Sequence, residues 1–236
     1  MLSQADHDVL LRLNSFIVYN ELFANIFDSI GENPLIRGFP IFFPLVILWF
    51  SVDYDKRRSR MVIGLLATCL AVNISLRVQY HINIHTRPFL DQTLPIKLYD
   101  RSIAQNWDRL GSFPSDTATL YFSLVAIIFL ERPLWGSIAL LWSLVAVGLV
   151  RVALGWHYPS DIIGALVLGP GCVYLITKIK YLDLLVARLL FIFKSRTYII
   201  DSMFVFFVAD AYNLFPGLQG IIRFLKWASK RLINSL

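Results

Sequence analysis

Charge is scarce in this chain. Asp, Glu, Lys and Arg together make up 16% of 236 residues, and a water-soluble domain of that length covers its surface with more. Cysteine is nearly absent, and Cys69 and Cys172 each sit inside an apolar stretch, so a disulfide framework is not expected. Carboxylates and cysteines are not grouped at metal-ligand spacing, so no metal or other cofactor is expected. Internal repeats and low-complexity tracts are missing too. Asp6, His7 and Asp8 interrupt the basic-then-apolar pattern of a secretory leader, and none is expected.

What the chain has instead is apolar sequence in long blocks: 57% of residues are hydrophobic and 14% aromatic, with a mean hydropathy of +0.62. A helix needs about 20 mostly apolar residues to cross a bilayer. Residues 36–52, 61–80, 135–151 and 161–177 read as such spans, and 116–131 as a shorter one ending at Glu131-Arg132-Pro133. A first segment, 8–30, reads as a sixth span whose Asn14, Asn20 and Asp28 face other helices. The expected fold is therefore an all-α polytopic membrane helix bundle of about six transmembrane helices over residues 1–178, with a C-terminal helical extension over 179–236. In that extension Asp201 and Asp210 weigh against a seventh span. Residues 218–236 mix Ile221, Leu225 and Trp227 with Arg223, Lys226, Lys230 and Arg231, the pattern of a helix lying in the headgroup region; one extra span is the alternative.

The net charge of +6 comes from cations at the ends of apolar blocks. That placement suits anionic lipid headgroups better than nucleic acid. Lys56, Arg57, Arg58 and Arg60, then Arg132, then Lys178 and Lys180, share one side of a six-span arrangement, which makes that side cytoplasmic. The loop 83–115 and the turn 152–160 then lie on the outer side.

Polar residues that the spans do not explain gather on that outer side. In "RVALGWHYPSD", 151–161, Arg151 ends one span, Asp161 begins the next and His157 lies in the turn. An aspartate four residues after a histidine can fix its tautomer and leave the other ring nitrogen nucleophilic. The plain alternative is an interfacial His and Asp bonded to backbone and water, with Arg151 snorkelling to headgroups. Arg87, in "HTRPF", offers a planar fork suited to phosphate oxygens, or else pairs with Asp91. Ser115, Asp116 and Thr117 open a helix whose N-terminal amides make an anion site, although Ser115 or Asp116 also suits a simple N-cap. Together these groups describe a phosphate-ester site in which arginines and amides hold the equatorial oxygens while His157 attacks in line.

Over roughly residues 60–178 the sequence resembles the type 2 phosphatidic acid phosphatase family, six-span lipid phosphatases related to vanadium haloperoxidases. The family's third motif, Ser-Arg-x5-His-x3-Asp, matches at Arg151, His157 and Asp161, with Val150 in place of the serine. The resemblance implies that His157 forms a phosphohistidine, that Asp161 is its partner and that Arg151 binds phosphate. The first motif, Lys-x6-Arg-Pro, keeps Arg87 and Pro88 but has Tyr80 where the lysine belongs; Arg77, about one helical turn earlier, is a stand-in on the same face. The second motif, Pro-Ser-Gly-His, keeps Pro114 and Ser115, while Asp116 and Thr117 replace Gly and His.

In the family that missing histidine protonates the leaving oxygen, and loss of such a donor costs about a hundredfold or more for an alkoxide leaving group. Three explanations stay open. Asp116, His85 or His81 supplies the proton. The substrate is a diphosphate, most simply a polyprenyl diphosphate, whose leaving phosphate needs no proton, with water or another molecule as acceptor in a hydrolase or a phosphotransferase. Or the protein is a catalytically weak lipid-phosphate binder. The expected partners are a lipid phosphate or diphosphate and membrane lipids, with no nucleic acid, and the expected location is a bacterial inner membrane with the site facing outward.

Overall fold

The computed structural model describes residues 3–51, 56–82, 84–96 and 111–211, and the regular structure among them is helical throughout. The helices are α1 (Gln4–Val18), α2 (Glu21–Glu32), α3 (Pro34–Ser51), α4 (Lys56–Arg77), α5 (Asp116–Glu131), α6 (Pro133–Ala153), α7 (Pro159–Thr177), α8 (Lys180–Ile192) and α9 (Thr197–Ala211). Two of them leave α-helical geometry near one end. α4 continues as a π-helical segment, Val78–Ile82, and α6 passes through a π-helical stretch, Leu144–Leu149, before its last turn. Single π turns inside helices often mark functional sites, and both of these lead to the site described below.

Among the described residues four helices are long and apolar enough to cross a membrane: α3, α4 with its extension, α6 and α7. They coincide with the four long apolar blocks of the sequence. α5 has only 16 residues, yet twelve of them are buried, and it is packed against α3, α4, α6 and α7. A helix enclosed by its neighbours is apolar all round because no face meets solvent or lipid. At Gly169 an added Cβ would lie 2.7 Å from the carbonyl oxygen of Thr119, so this small residue lets the α7 backbone approach α5 closely.

The first segment differs from expectation. Residues 8–30 are not one span; they fall in α1 and α2, broken at Tyr19-Asn20. Asn20 takes up extended backbone and its side chain accepts from the Phe23 N–H, capping α2, the ordinary work of Asn at a helix start. Asn14 does turn inward and donates to the Ala153 carbonyl at the end of α6 (3.0 Å). Asp6 serves two helices at once: one oxygen accepts from Ser3 in a capping box on α1, the other from the Ser160 N–H at the start of α7 (2.9 Å).

Contacts divide the chain into two compact units, Met1–Phe191 and Ile192–Leu236. Of the expected extension 179–236, α8 begins in the first unit, where the Ser59 hydroxyl donates to Asp183 (2.6 Å), and α9 belongs to the second. The headgroup helix expected at 218–236 lies outside the described residues, as does 97–110 of the long loop. At the end where α5 and α7 finish, Arg60 pairs with Glu131 (3.1 Å), beside a cavity of about 340 Å³ lined by Arg60, Ile63, Leu130, Thr177, Lys178 and Asp183. The polar site is at the opposite end of the same helices.

Candidate active site

Four pieces of chain converge there: the π-helical end of α4, the segments 84–96 and 111–115, the start of α5, and the turn joining α6 to α7. The turn is made by Gly155, whose φ of +76° suits a residue without Cβ. Beyond it the N–H groups of Trp156 and His157 both reach back to the Arg151 carbonyl (3.0 and 3.3 Å). This folds His157 inward, and its side chain is completely buried.

The imidazole is oriented by its partners. Nδ1 faces two acceptors, the Ser112 carbonyl (3.0 Å) and Asp161 Oδ2 (3.2 Å), so the proton is assigned to Nδ1 and the lone pair to Nε2. Arg87 Nη1 donates to Nε2 at 3.2 Å. Asp161 Oδ2 is itself held by the Tyr158 N–H (2.8 Å). Burial, followed by the charges of Arg87 and Arg151, holds the His157 pKa well below 6.5. The side chain is a neutral imidazole with a free electron pair pointing at a guanidinium.

Arg87 is 3% exposed. Burial lowers its pKa and the carboxylates of Asp116 and Asp161 counter that effect. The Arg151 guanidinium lies 5.2 Å over the Trp156 ring, and its electrostatic neighbours are Arg37, Asp116, Arg87 and Tyr121. Arg87, Arg151, His157 and Asp161, from two distant stretches of sequence, thus share one neighbourhood.

The start of α5 closes it. The Ser115 N–H donates to the Asp161 carbonyl (3.2 Å), which ties the N-termini of α5 and α7 together, while Ser115 Oγ accepts from the Ala118 N–H (3.4 Å) as an N-cap. Asp116 and Thr117 follow, each 2% exposed. Among the described residues neither side chain makes a hydrogen bond.

Three expected residues are placed elsewhere. Arg77 is exposed and does not reach Arg87. The physical reason is helical spacing: Gln79 is two residues on, towards the opposite side of the helix, and one turn after the buried Ser75, which donates to the Pro114 carbonyl (2.8 Å). Gln79 is fully buried; its Nε2 donates to the Pro114 carbonyl (2.6 Å) and its Oε1 accepts from Arg87 Nη2 (3.4 Å). The sequence signal is Ser75 with Gln79, two polar residues four apart at the end of an apolar block. His85 is present but on the far side of His157: its Nε2 lies 3.4 Å from Asp161 Oδ1 and its Nδ1 pairs with the Ser112 hydroxyl (2.7 Å). Burial lowers its pKa, so this is a contact of a neutral ring and not an ion pair. His81 is exposed, edge-on to Tyr80.

Sequence reasoning passed over Arg37, in the first turns of α3, which is 8% exposed and bonded to Tyr121. An arginine inside an apolar span was the available signal. Among the described residues no group of three His, Cys, Asp or Glu is arranged to hold a metal ion.

Comparison with known proteins points in one direction. The family model described as the PAP2 superfamily matches residues 62–183. A protein of Escherichia coli (strain K12) named "Putative undecaprenyl-diphosphatase YbjG" is 29% identical over 133 residues, covering 54% of this chain and 61% of that protein. The bacitracin transport permease protein BcrC of Bacillus licheniformis is 30% identical over 125 residues, covering 53% of this chain and 57% of that protein. The chain thus spans about three fifths of the length of these relatives. No solved structure matches it.

Proposed function

The chain belongs to the PAP2 superfamily, and from that premise we propose that it is an integral membrane enzyme removing the terminal phosphate of a lipid diphosphate, a polyprenyl diphosphate above all, through a phosphohistidine. The observation that carries this reading is the pair of contacts on one ring: Asp161 behind Nδ1 and Arg87 at Nε2. A mere anion binder has no use for a buried carboxylate that fixes a tautomer and supports the imidazolium-like ring.

In this reading Arg87, Arg151 and the first amides of α5 hold the equatorial oxygens. His157 Nε2 forms a bond to the terminal phosphorus and the bond to the bridging oxygen breaks. The Nδ1 proton stays in place between Ser112 and Asp161. The bridging oxygen leaves on a prenyl monophosphate, a leaving group that needs no proton, which accounts for Thr117 where the family has histidine. Water then attacks the phosphohistidine. Asp116, buried beside Arg87 and Arg151 with no hydrogen-bond partner among the described residues, is the candidate to take its proton. The name of the Escherichia coli relative agrees with this substrate class. The cationic Arg57, Arg58, Arg60 and Lys178 lie at the opposite end of the helices, which supports a site facing the outer side.

The test is phosphate release from farnesyl diphosphate and from phosphatidate in detergent, with His157→Ala as control and vanadate as transition-state mimic. Release stopped by vanadate and absent in the variant is expected. No release from either lipid, together with no labelled phosphohistidine, ends the hydrolase reading and leaves a non-catalytic binder; transfer to an acceptor without net release makes the protein a phosphotransferase.

A further inference from the structure

Arg37 is the least explained charge in the first unit. It lies on α3, a helix long and apolar enough to cross a membrane, and is 8% exposed. A buried guanidinium without a counter-charge is costly, so such groups are paired or serve a ligand. Among the described residues no carboxylate pairs with it. Its Nη1 donates to the Gly31 carbonyl, its Nε to the Tyr121 hydroxyl (3.4 Å), and its Cζ lies 5.7 Å from the centroid of the Tyr121 ring. Among the described residues Nη2 has no partner. The side chain lies beside Arg151: a Cβ at Gly31, whose carbonyl Arg37 holds, would be 3.0 Å from the Trp156 ring, and the Arg151 guanidinium lies 5.2 Å over that ring.

Three guanidiniums, Arg37, Arg87 and Arg151, therefore share a region where, among the described residues, Asp161 is committed to His157 and Asp6 to the starts of α1 and α7, which leaves Asp116 to balance them. Such an excess of positive charge suits an anion carrying more than one phosphate. Arg87 touches the nucleophile, Arg151 lies over Trp156, and Arg37 reaches in from α3 to Tyr121. Tyr121, one and a half turns into α5, holds Arg37 in place from the helix whose first turn faces the nucleophile.

We propose that Arg37, oriented by the Tyr121 hydroxyl, binds the phosphate of a diphosphate substrate that is not attacked, and stabilises it as it departs. This rests on the hydrolase reading above and deepens it. As His157 Nε2 bonds to the terminal phosphorus, the electron pair of the breaking P–O bond moves onto the bridging oxygen, which becomes a terminal oxygen of the prenyl monophosphate. Arg37 meets that charge with a fixed guanidinium, so no proton donor is required at residue 117. A monoester leaving group carries no such phosphate and gains nothing from Arg37.

Two measurements on the purified full-length protein test this. In the first, pyrophosphate and inorganic phosphate are titrated against wild type, Arg37→Gln and Tyr121→Phe, with thermal denaturation confirming that each variant folds. Wild type is expected to prefer pyrophosphate, and Arg37→Gln to lose about 10- to 100-fold of that preference, the scale of one charge-assisted hydrogen bond; Tyr121→Phe loses a smaller part. In the second, kcat/KM for farnesyl diphosphate is compared with that for p-nitrophenyl phosphate. The drop in Arg37→Gln is expected to be larger on the diphosphate by about tenfold or more, with partial recovery in Arg37→Lys. A wild type with no preference for pyrophosphate, or equal losses on both substrates, overturns the assignment. Wild type that binds pyrophosphate preferentially through Arg37 yet turns over neither substrate keeps this subsite and removes the hydrolase.

Discussion

Helices α4, α5 and α7 carry ionic side chains at both ends, and the two ends treat them in opposite ways. At the end where α5 and α7 finish, Arg60 pairs with Glu131 and Ser59 bonds to Asp183 beside a modest cavity, and the further cations Arg57 and Lys178 are exposed. At the end where α5 and α7 begin, Arg37 and Arg87 are buried, Arg151 lies against Trp156, and the buried acids Asp6, Asp116 and Asp161 share the region, with Asp161 bonded to one histidine and Asp6 to helix starts. Matched charges at a helix end anchor structure and contribute little else. Unmatched buried charges are held in place by the surrounding fold and wait for a ligand.

The sharpest way to break that contrast is His157→Ala. It is expected to lower phosphate release by more than about ten-thousandfold and to abolish acid-labile phosphate labelling; a variant that still releases phosphate normally takes the nucleophile away from this end. Next in size is Thr117→His, which puts an acid back where the family has one. Turnover of phosphatidate, whose alkoxide needs a proton, is expected to rise about a hundredfold relative to farnesyl diphosphate, and an unchanged ratio of the two rates counts against the account of the threonine. Gln79→Leu keeps the volume but removes the ties to Arg87 and the Pro114 carbonyl. It is expected to reduce kcat about tenfold with less change in KM, because it misplaces a group that acts in the transition state; a pure KM effect makes Gln79 a substrate contact.

The pH dependence follows from His157. Its folded pKa lies below the ordinary 6.5, so the ring is already neutral at pH 6.5 and the acid limb of kcat/KM is expected below that value. Stability moves in the matching direction. As pH falls under 6.5 the unfolded chain takes up a proton that the folded chain refuses, so the folded state is progressively disfavoured. An acid limb at or above 6.5 breaks this assignment. The smallest effect belongs to the other end: Glu131→Gln is expected to lower stability by about 1 kcal/mol or less and to leave phosphate release at the wild-type rate.

Much of this was legible in the sequence, for identifiable reasons. The long apolar blocks are α3, α4, α6 and α7, because length and hydropathy are what a bilayer reads. Ser115 caps α5 and Asp161 backs His157, because both arrangements depend on spacings of three or four residues along one helix. What depended on other kinds of information was not legible. The choice between Arg77 and Gln79 turns on which face of α4 meets the Pro114 carbonyl, a contact made in three dimensions. The division of 8–30 into α1 and α2 turns on whether Asn20 caps a helix or faces a neighbour, and both are ordinary roles for asparagine. Arg37 was hidden by averaging, since one cation in eighteen residues hardly lowers the hydropathy of its span.

The clamp made by Asp6 has a consequence for how the protein comes into being. The carboxylate that receives the Ser160 N–H is made before that partner, which lies 154 positions later. Helix α1 must therefore wait, with one oxygen of that carboxylate unclaimed, until the ribosome has delivered nearly the whole bundle. The surroundings of His157 are complete only once that late partner has been made.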